Sequence, residues 1–344
     1  MTGPRVAVLG SGANGTSIGV DLALAGTDVT LIEQWPAHVE AMRSAGARVL
    51  SDDGEQVARP PVHHLCEVAE MREPFDIVLM VMKAYDSRWA AELISSVLAP
   101  DGLLVGVQNG MTADVIAEVV GPDRTLGCVI ECSAAMHDPG VVRRYTPPSS
   151  AWFAVGSLTP ATAGREHEVA DLLRHSGTVA GIDDIRSAKW MKLVSNCSVL
   201  APTASLGLPM ADAIDVPGFR ALMVAAGEEA LAVGRAAGYA TLPIFGLEAA
   251  DVARPETLVD VMLERLYRQF VKPGATTTVL HDWEKGRRSE AGDLNGLVST
   301  LGGEHGIATP VNDAVYALAR DIETGRSRPS PDHAPRLLER TGLG

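Results

Sequence analysis

A short apolar run followed at once by a glycine-rich turn constrains the fold of this chain more than any other feature. The run covers residues 6–9, and Gly10, Gly12 and Gly15 follow in the spacing Gly-x-Gly-x-x-Gly. Residues 16–25 then have the pattern of a helix. In this order the first glycine allows a tight turn, the second lets the backbone approach a pyrophosphate, and the third lets the helix pack on the strand. The pattern predicts a dinucleotide-binding Rossmann unit, with an ordinary glycine-rich turn as the alternative.

The turn and the next strand predict how the cofactor binds. A helix directs its first N–H groups and the positive end of its dipole at phosphates. We therefore expect cofactor contacts from the entire turn, which is Gly10, Ser11, Gly12, Ala13, Asn14 and Gly15. Glu33 ends the next apolar segment, where an acidic side chain binds a ribose hydroxyl of NAD(H) and repels the additional phosphate of NADP(H). This favours NAD(H) over NADP(H) as the cofactor. The alternative is that Glu33 is only a solvated strand end.

Length and charge limit the number of domains and the class of partner. The 344 residues predict two domains, and no apolar run reaches the ~20 residues of a membrane span. The first strand begins too near the N-terminus to leave room for a signal peptide, so we expect a cytoplasmic protein. A net charge of −14 without a basic cluster disfavours nucleic acids and anionic membranes as partners.

Strands and helices alternate in the first half of the chain, which predicts a doubly wound parallel sheet of the α/β class. Further strands are predicted at residues 28–32, 57–65, 75–82, 103–107 and 125–130. Helices are predicted at residues 38–45, 90–98, 112–120 and 166–175. Two segments look like antiparallel strands that close the sheet, at residues 141–144 and 152–155. We place this Rossmann domain at residues 1–184.

Two polar residues stand where predicted strands end. Lys83 follows the strand at residues 75–82, and Asn109 comes shortly after the strand at residues 103–107. Ligands of such sheets bind beyond the carboxyl ends of the strands. An ammonium group there can orient a carboxylate or the cofactor's amide, and an asparagine offers one donor and one acceptor. The alternatives are a surface lysine and a turn asparagine before Gly110.

The second half of the chain lacks strand alternation and is predicted to be an all-helical domain over residues 185–325. Its helices are predicted at residues 187–201, 219–237, 258–270, 276–285, 295–304 and 313–323. We expect Pro202 to end the first of these helices. We expect the proline-rich and charged tail at residues 326–344 to be frayed.

Two pairs of polar residues lie four apart on these predicted helices. Lys192 and Asn196 share one face of the first helix, and Thr278 and Asp282 have the same spacing on the fourth. Such a face is either solvated or lines a cleft.

The cysteines do not predict a metal centre. Cys128 and Cys132 are four apart, but they lie in an apolar stretch without a second cysteine pair. We therefore expect reduced core cysteines and no bound metal.

Several short motifs follow one another in a fixed order from Arg5 to about Ala317. They are Gly10-x-Gly12-x-x-Gly15, Val81-Met82-Lys83-Ala84, Gln108-Asn109-Gly110-Met111, Trp190-x-Lys192-Leu193-x-x-Asn196, Pro202-Thr203-Ala204, Ser289-Glu290, Asn295-Gly296 and Gly306-Ile307-Ala308-Thr309-Pro310-Val311. In this order the chain resembles the ketopantoate reductase (2-dehydropantoate 2-reductase) family. The resemblance is carried by the whole set, since no single motif is specific.

The resemblance implies a Rossmann domain joined to a helical domain, with an active site in the cleft between them. It implies an NAD(P)H-dependent oxidoreductase acting on CH–OH donors, which reduces a 2-oxo acid to the 2-hydroxy acid. By position, Lys192 looks like the family's general acid and Glu290 like its acidic partner, with a structural ion pair as the alternative. Residues at the nicotinamide and the substrate would be Lys83, Asn109, Asn196, Thr278 and Asp282.

Two residues depart from the family pattern. Leu200 stands where the family tends to carry a second asparagine, and it cannot hydrogen-bond a substrate hydroxyl. This favours a substrate with an apolar side chain over 2-dehydropantoate itself. Glu33 stands where many relatives carry an arginine and use NADPH. The long stretch from Gly238 to Lys272 could widen the pocket or form the surface of a homodimer.

These observations predict a 2-oxo acid reductase of the ketopantoate reductase type. One alternative is a β-hydroxyacid dehydrogenase or an imine- or opine-type dehydrogenase, which shares the plan of a Rossmann domain and a helical domain. Another is a non-catalytic dinucleotide sensor, which would bind the cofactor without turnover and would not depend on Lys192 or Glu290.

Overall fold

The computed structural model describes residues 3–244 and 246–344 and contains two compact units. The first unit ends at Lys189 and the second begins at Trp190. This boundary falls inside one helix, whereas the sequence places the domain boundary at residue 184, just before that helix.

The first unit carries all the strands found in the described residues. They are β1 (Val6–Leu9), β2 (Val29–Glu33), β3 (Ala47–Ser51), β4 (Gly54–Ala58), β5 (Val62–His64), β6 (Phe75–Met80), β7 (Leu98–Val107), β8 (Thr125–Glu131), β9 (Ala134–Ala135), β10 (Val141–Arg144), β11 (Trp152–Ser157) and β12 (Thr178–Gly181). Its helices are α1 (Ala13–Leu24), α2 (Pro36–Ala45), α3 (Ser87–Ser95), α4 (Thr112–Val120) and α5 (Glu166–Leu173).

Eight of these strands form the main sheet, in the order β12-β11-β8-β7-β6-β1-β2-β5. The six strands from β8 to β5 are parallel, and β11 runs antiparallel to β8. The central strand β1 is buried along its whole length, as expected for a parallel strand covered on both faces. The predicted Rossmann sheet is therefore confirmed, with β11 and β12 closing one side in the opposite direction.

A second sheet of four strands, in the order β4-β3-β10-β9, corrects one of our expectations. The sequence pattern predicts that Val141–Arg144 closes the main sheet. Instead this strand, β10, pairs in parallel with β3, which is far away in the chain. A short strand does not encode which sheet it joins, because its pairing depends on the tertiary fold. A buried ion pair of Arg144 with Asp21, at 2.6 Å, connects this sheet to α1.

The second unit is helical, and it shares its first helix with the first unit. The helices are α6 (Ile185–Leu206), α7 (Met210–Ile214), α8 (Phe219–Ala236), α9 (Ala249–Val252), α10 (Leu258–Gln269), α11 (Thr278–Glu284), α12 (Asn295–His305), α13 (Pro310–Glu323) and α14 (His333–Thr341). No helix among the described residues is both long enough and apolar enough to cross a membrane.

Two expectations about helix ends are wrong. Helix α6 continues through Pro202 to Leu206, although a proline inside a helix costs about 3 kcal/mol. Burial of Ala204 and Leu206 in its last turn offsets this cost. The tail predicted to be frayed contains α14, which packs against α8 and α13. Its buried side chains, among them Leu337 and Leu338, form an apolar face among the charged residues.

Helices α6 and α8 pack closely at Trp190. The indole Nε1–H of Trp190 donates to the carbonyl oxygen of Ala230 at 2.9 Å. Gly234 lies beneath the ring, and a Cβ atom there would overlap the indole. Tyr239 stacks on the same ring at 4.8 Å between centroids. This contact fixes α6, the helix that carries Lys192 and Asn196, against the rest of the second unit.

Candidate active site

Two of the three glycines in the turn after β1 leave no room for a side chain. Gly10 has a φ of +90°, and a Cβ atom there would lie 2.8 Å from the backbone nitrogen of Met82. A Cβ atom at Gly15 would overlap the carbonyl oxygen of Gly10. The strand, the turn and α1 therefore pack too closely for any other residue at these two positions.

Gly12, in contrast, adjoins open space. No described atom lies within 4 Å of the place where its Cβ would be. Gly12 is the N-cap of α1, and the first turn of this helix contains no acidic residue. A pyrophosphate can therefore approach the backbone at the positive end of the helix dipole. The residues of the turn fit a dinucleotide.

His38 fixes the turn through the carbonyl group of Ser11. Its Nδ1 accepts the backbone N–H of Gly140 at 2.7 Å, so the proton is assigned to Nε2, which donates to the carbonyl oxygen of Ser11 at 3.0 Å. The hydroxyl of Thr16 donates to the same oxygen at 2.6 Å. Burial lowers the pKa of His38 to about 4, so the ring is neutral near pH 7. Sequence reasoning missed this residue.

The first unit brings its predicted site residues to one edge of the main sheet. Strands β2, β1, β6 and β7 are parallel neighbours, so their carboxyl ends share that edge. The glycine turn follows β1, Glu33 ends β2, Lys83 follows β6 and Asn109 follows β7. The close approach of Met82 to Gly10 puts the chain at Lys83 directly beside the turn.

Glu33 is a buried carboxylate. Only 5% of the residue is exposed, and its Oε1 accepts the backbone N–H of Trp35 at 2.9 Å. The alternative of a solvated strand end is therefore wrong.

In the second unit, α6 carries Lys192 and Asn196 one turn apart on the same face. Lys192 is half-buried and Asn196 is buried. The face is therefore not the solvated helix surface that the spacing alone allows.

Two hydrogen bonds connect α6 to the segments that carry the other candidates. The side-chain amide of Asn295 donates to the carbonyl oxygen of Cys197 at 3.1 Å, and the hydroxyl of Thr277 donates to that of Leu200 at 3.1 Å. Thr277 is the N-cap of α11, the helix that carries the predicted substrate residues Thr278 and Asp282. Of these two, Asp282 is buried.

Glu290 lies in a single 3₁₀ turn, Glu290–Gly292, five residues before Asn295, and is buried. Ser289 caps this turn, because its hydroxyl accepts the backbone N–H of Ala291 at 3.2 Å. The same hydroxyl donates to Glu323 of α13 at 2.6 Å. These bonds hold the backbone at Glu290 in one place.

A buried polar network supports this arrangement, and sequence reasoning missed it. Asn295 donates to Asn312 at 2.9 Å, and Asn312 donates to Glu229 of α8 at 2.7 Å. Glu229 also accepts two backbone N–H groups at the start of α13. Burial raises the pKa of Glu229, and these bonds oppose the shift. Asn312 and Glu229 are 83 residues apart, so no local spacing connects them.

Cys128 and Cys132 lie in the first unit. Burial raises the pKa of Cys128 to about 12 and that of Cys132 to about 11. Both are free thiols. Across the two described ranges, no group of three or more His, Cys, Asp or Glu side chains is arranged to hold a metal ion.

Two family models together match most of the chain. The one described as Ketopantoate reductase PanE/ApbA matches residues 6–157. The one described as Ketopantoate reductase PanE/ApbA C terminal matches residues 184–323. The chain belongs to the ketopantoate reductase family. The family predicted from the motifs is thus confirmed, and with it an oxidoreductase.

Curated relatives have the same extent as this chain. A 2-dehydropantoate 2-reductase of Mesorhizobium japonicum is 27% identical, over 94% of this chain and 98% of its own length. A 2-dehydropantoate 2-reductase of Archaeoglobus fulgidus is 27% identical, over 93% of this chain and 98% of its own length.

Solved structures share the fold. A PanE/ApbA family ketopantoate reductase from Ralstonia eutropha is similar with a TM-score of 0.79 and 28% identity, covering 93% of this chain and 99% of that one. A D-mandelate dehydrogenase, in a ternary structure with NADH and anilino(oxo)acetate, is similar with a TM-score of 0.81 and 21% identity. That alignment covers 93% of this chain and 98% of the dehydrogenase, and at this identity it shows the fold alone.

Proposed function

We propose that this chain reduces the ketone of a 2-oxo acid to the 2-hydroxy acid, with Lys192 as the general acid. One observation carries the proposal. Asn295, five residues after Glu290, donates to Cys197 of α6, and Thr277, the neighbour of Thr278, donates to Leu200 of the same helix. The chain beside both candidates is therefore bonded to the helix that carries Lys192.

The reaction needs an acid where negative charge develops. When bound, a reduced nicotinamide would supply a hydride, and with it two electrons, to the carbonyl carbon, and it would leave as the oxidised cofactor. The π electrons of the C=O bond then move to the oxygen, and Nζ of Lys192 donates its proton there. Lys192 becomes a neutral amine that solvent reprotonates. We assign the carboxylate of Glu290 to orient the ammonium group of Lys192 toward the substrate oxygen.

We assign the other polar candidates to binding. Asn196 and Thr278 would donate to substrate oxygen atoms, and Asp282 would accept from a polar group of the substrate. Lys83 and Asn109 would contact the nicotinamide and the substrate from the first unit. In a chain of net charge −14, lysines at the site supply the local positive charge that an anionic acid requires.

The preferred side chain of the substrate follows from Leu200. This residue is half-buried on α6, one turn after Asn196, where a second asparagine would bind a hydroxyl. The curated relatives are named for 2-dehydropantoate. We propose that this chain acts on 2-dehydropantoate or an analogue of it, and that an analogue with an apolar side chain is preferred.

We propose NAD(H) rather than NADP(H) as the preferred cofactor. The turn Gly10–Gly15 would bind the pyrophosphate and Glu33 a ribose hydroxyl. A buried carboxylate at the end of β2 would repel a 2′-phosphate, since both groups are anionic.

A substrate panel tests the proposal. Oxidation of NADH and of NADPH is followed by absorbance with 2-dehydropantoate, aliphatic 2-oxo acids, phenylglyoxylate, a 3-oxo acid and a 2-oxo acid with an amine. We expect turnover of a 2-oxo acid, fastest with an apolar side chain and with NADH. Turnover confined to the last two substrates, or cofactor binding without any turnover, would contradict it.

The homodimer and the cytoplasmic location stay predictions. Light scattering on the purified chain checks the first, and fractionation of cells checks the second.

A further inference from the structure

Lys189 is a buried cation at the end of the first unit. Only 2% of this residue is exposed. Its Nζ donates to the carbonyl oxygen of Gln108 at 2.9 Å and to that of Cys128 at 3.1 Å. An ammonium group is costly to bury unless it is well hydrogen-bonded, so these contacts determine the local geometry.

The two carbonyl groups lie where β7 leaves the sheet. Val107, the last residue of β7, pairs with Cys128 of β8, and Gln108 is the next residue along. Lys189 therefore holds the chain at the point where the strand has ended and the turn to Asn109 begins.

Gln108 extends this contact to the neighbouring strand. Its side-chain Nε2 donates to the carbonyl oxygen of Met82 at 2.7 Å and to that of Lys83 at 3.3 Å. It also donates to the hydroxyl of Ser87 at 3.0 Å. The backbone of Gln108 is thus held by Lys189, while its side chain holds the segment after β6.

We propose that Lys189 and Gln108 are positioning residues for the nicotinamide end of the cofactor. They connect the two segments that carry Lys83 and Asn109. The glycine turn is held separately, by the hydrogen bond of His38 to Ser11. This inference rests on the proposed function, because it takes Lys83 and Asn109 as the residues at the nicotinamide.

Arg124 provides a matched control within the same unit. It is also a cation that donates to two backbone carbonyl groups, those of Ala99 at 2.6 Å and Gly102 at 3.3 Å. These carbonyl groups belong to the beginning of β7, at the opposite end of the strand from Gln108. Loss of Arg124 should cost stability without affecting the nicotinamide end.

Binding of two ligands separates positioning from a general structural role. The dissociation constants of NADH and of ADP-ribose, which lacks the nicotinamide, are measured for wild type, Lys189→Met, Gln108→Glu and Arg124→Met. If the wild type prefers NADPH, the two ligands are NADPH and 2′-phospho-ADP-ribose. We expect Lys189→Met and Gln108→Glu to weaken dinucleotide binding about tenfold and to leave ADP-ribose binding unchanged. Arg124→Met should leave the ratio of the two constants at the wild-type value.

Turnover gives a second readout. In Lys189→Met we expect kcat to fall about 100-fold, because small displacements of positioned groups have effects of that size. If Lys189→Met does not fold, Gln108→Glu provides the same test.

Equal losses of affinity for the dinucleotide and for ADP-ribose, or variants with wild-type binding and kcat, would overturn the inference. Wild type that binds NADH but reduces no 2-oxo acid would overturn the proposed function, and the binding ratio would still decide the inference. Wild type that binds neither dinucleotide would overturn both.

Discussion

The Nε2–H group of His38 donates to the carbonyl oxygen of Ser11 at 3.0 Å, in the middle of the dinucleotide turn. Gly140, 102 residues later in the chain, selects this tautomer by donating its backbone N–H to the other ring nitrogen. The ring is fully buried and makes both bonds only while it is neutral.

Stability should therefore depend on pH through His38. Its pKa is about 4 in the folded chain, against an ordinary value of 6.5. Between these values the unfolded chain binds a proton at this site that the folded chain does not. The contribution is fully present above pH 6.5 and is lost as the pH falls towards 4, by about 3 kcal/mol. Chemical unfolding of wild type and His38→Gln across this range checks the difference in slope. Equal slopes would show that His38 does not titrate in this way.

Two glycines three residues apart should respond differently to alanine. Gly12→Ala adds a methyl group in open space, so the stability should stay close to wild type. Its dinucleotide affinity should fall at least about tenfold, because the methyl group occupies the approach of the pyrophosphate. Gly15→Ala overlaps the carbonyl oxygen of Gly10 and should lower the free energy of unfolding by about 1–3 kcal/mol. Fluorescence titration and chemical unfolding measure the two effects, and the opposite pattern would contradict the assignment.

Packing at Trp190 gives a prediction that is independent of function. Gly234→Ala should lower the free energy of unfolding by about 1–3 kcal/mol, because the added methyl group overlaps the indole. Gly303→Ala is the control, since this position is exposed on α12 with no described atom within 4 Å of the added Cβ. There the replacement should stabilise the helix by about 0.5–1 kcal/mol. Thermal unfolding of both variants checks the pair, and similar melting temperatures would contradict it.

Lys192→Ala tests the assignment of the general acid. We expect kcat to fall by about 10²–10⁴-fold, which is the usual contribution of such a group, while dinucleotide affinity persists. Lys272→Ala removes an exposed lysine of the same unit and should leave kcat unchanged. Steady-state kinetics with the best substrate of the panel measures both. If Lys192→Ala turns over at the wild-type rate, Lys192 is not the general acid.

Leu200→Asn tests the origin of substrate preference. The new amide can hydrogen-bond a substrate hydroxyl, whereas leucine cannot. The ratio of kcat/KM for 2-dehydropantoate to that for an apolar 2-oxo acid should rise about tenfold, as expected for a gained hydrogen bond of about 1.4 kcal/mol. Leu200→Met keeps the side chain apolar and should leave the ratio near wild type. An unchanged ratio in Leu200→Asn would mean that position 200 does not determine the substrate preference.

The sequence predicts elements with a strong local pattern and fails where pairing is distant. The pattern predicts helix α4 at its observed bounds, and Gly121, with a φ of +91°, ends it. The sequence pattern does not predict strand β3, because this strand is short and half-buried, although one of its two partners, β4, follows it directly. The expectation that Pro202 ends α6 is wrong, because the burial that overrides the helix-breaking effect of a proline is a tertiary property.

The same distinction holds for the candidate site. Glu33, Lys83 and Asn109 could be predicted because the carboxyl ends of parallel strands always share an edge. The buried hydrogen-bond network of the second unit could not be predicted, because Asn312 and Glu229 come into contact only when α8 and α13 pack. The catalytic and binding roles of the individual residues stay predictions.

The His38 contact also sets an order of events during synthesis. Ser11 and His38 leave the ribosome before Gly140, which follows 102 residues after His38. Until then the N–H group that selects the ring tautomer does not exist in the nascent chain. The dinucleotide turn therefore acquires its final hydrogen bonds only after Gly140 has been synthesised, and a nascent fragment that ends before Gly140 should bind the cofactor poorly.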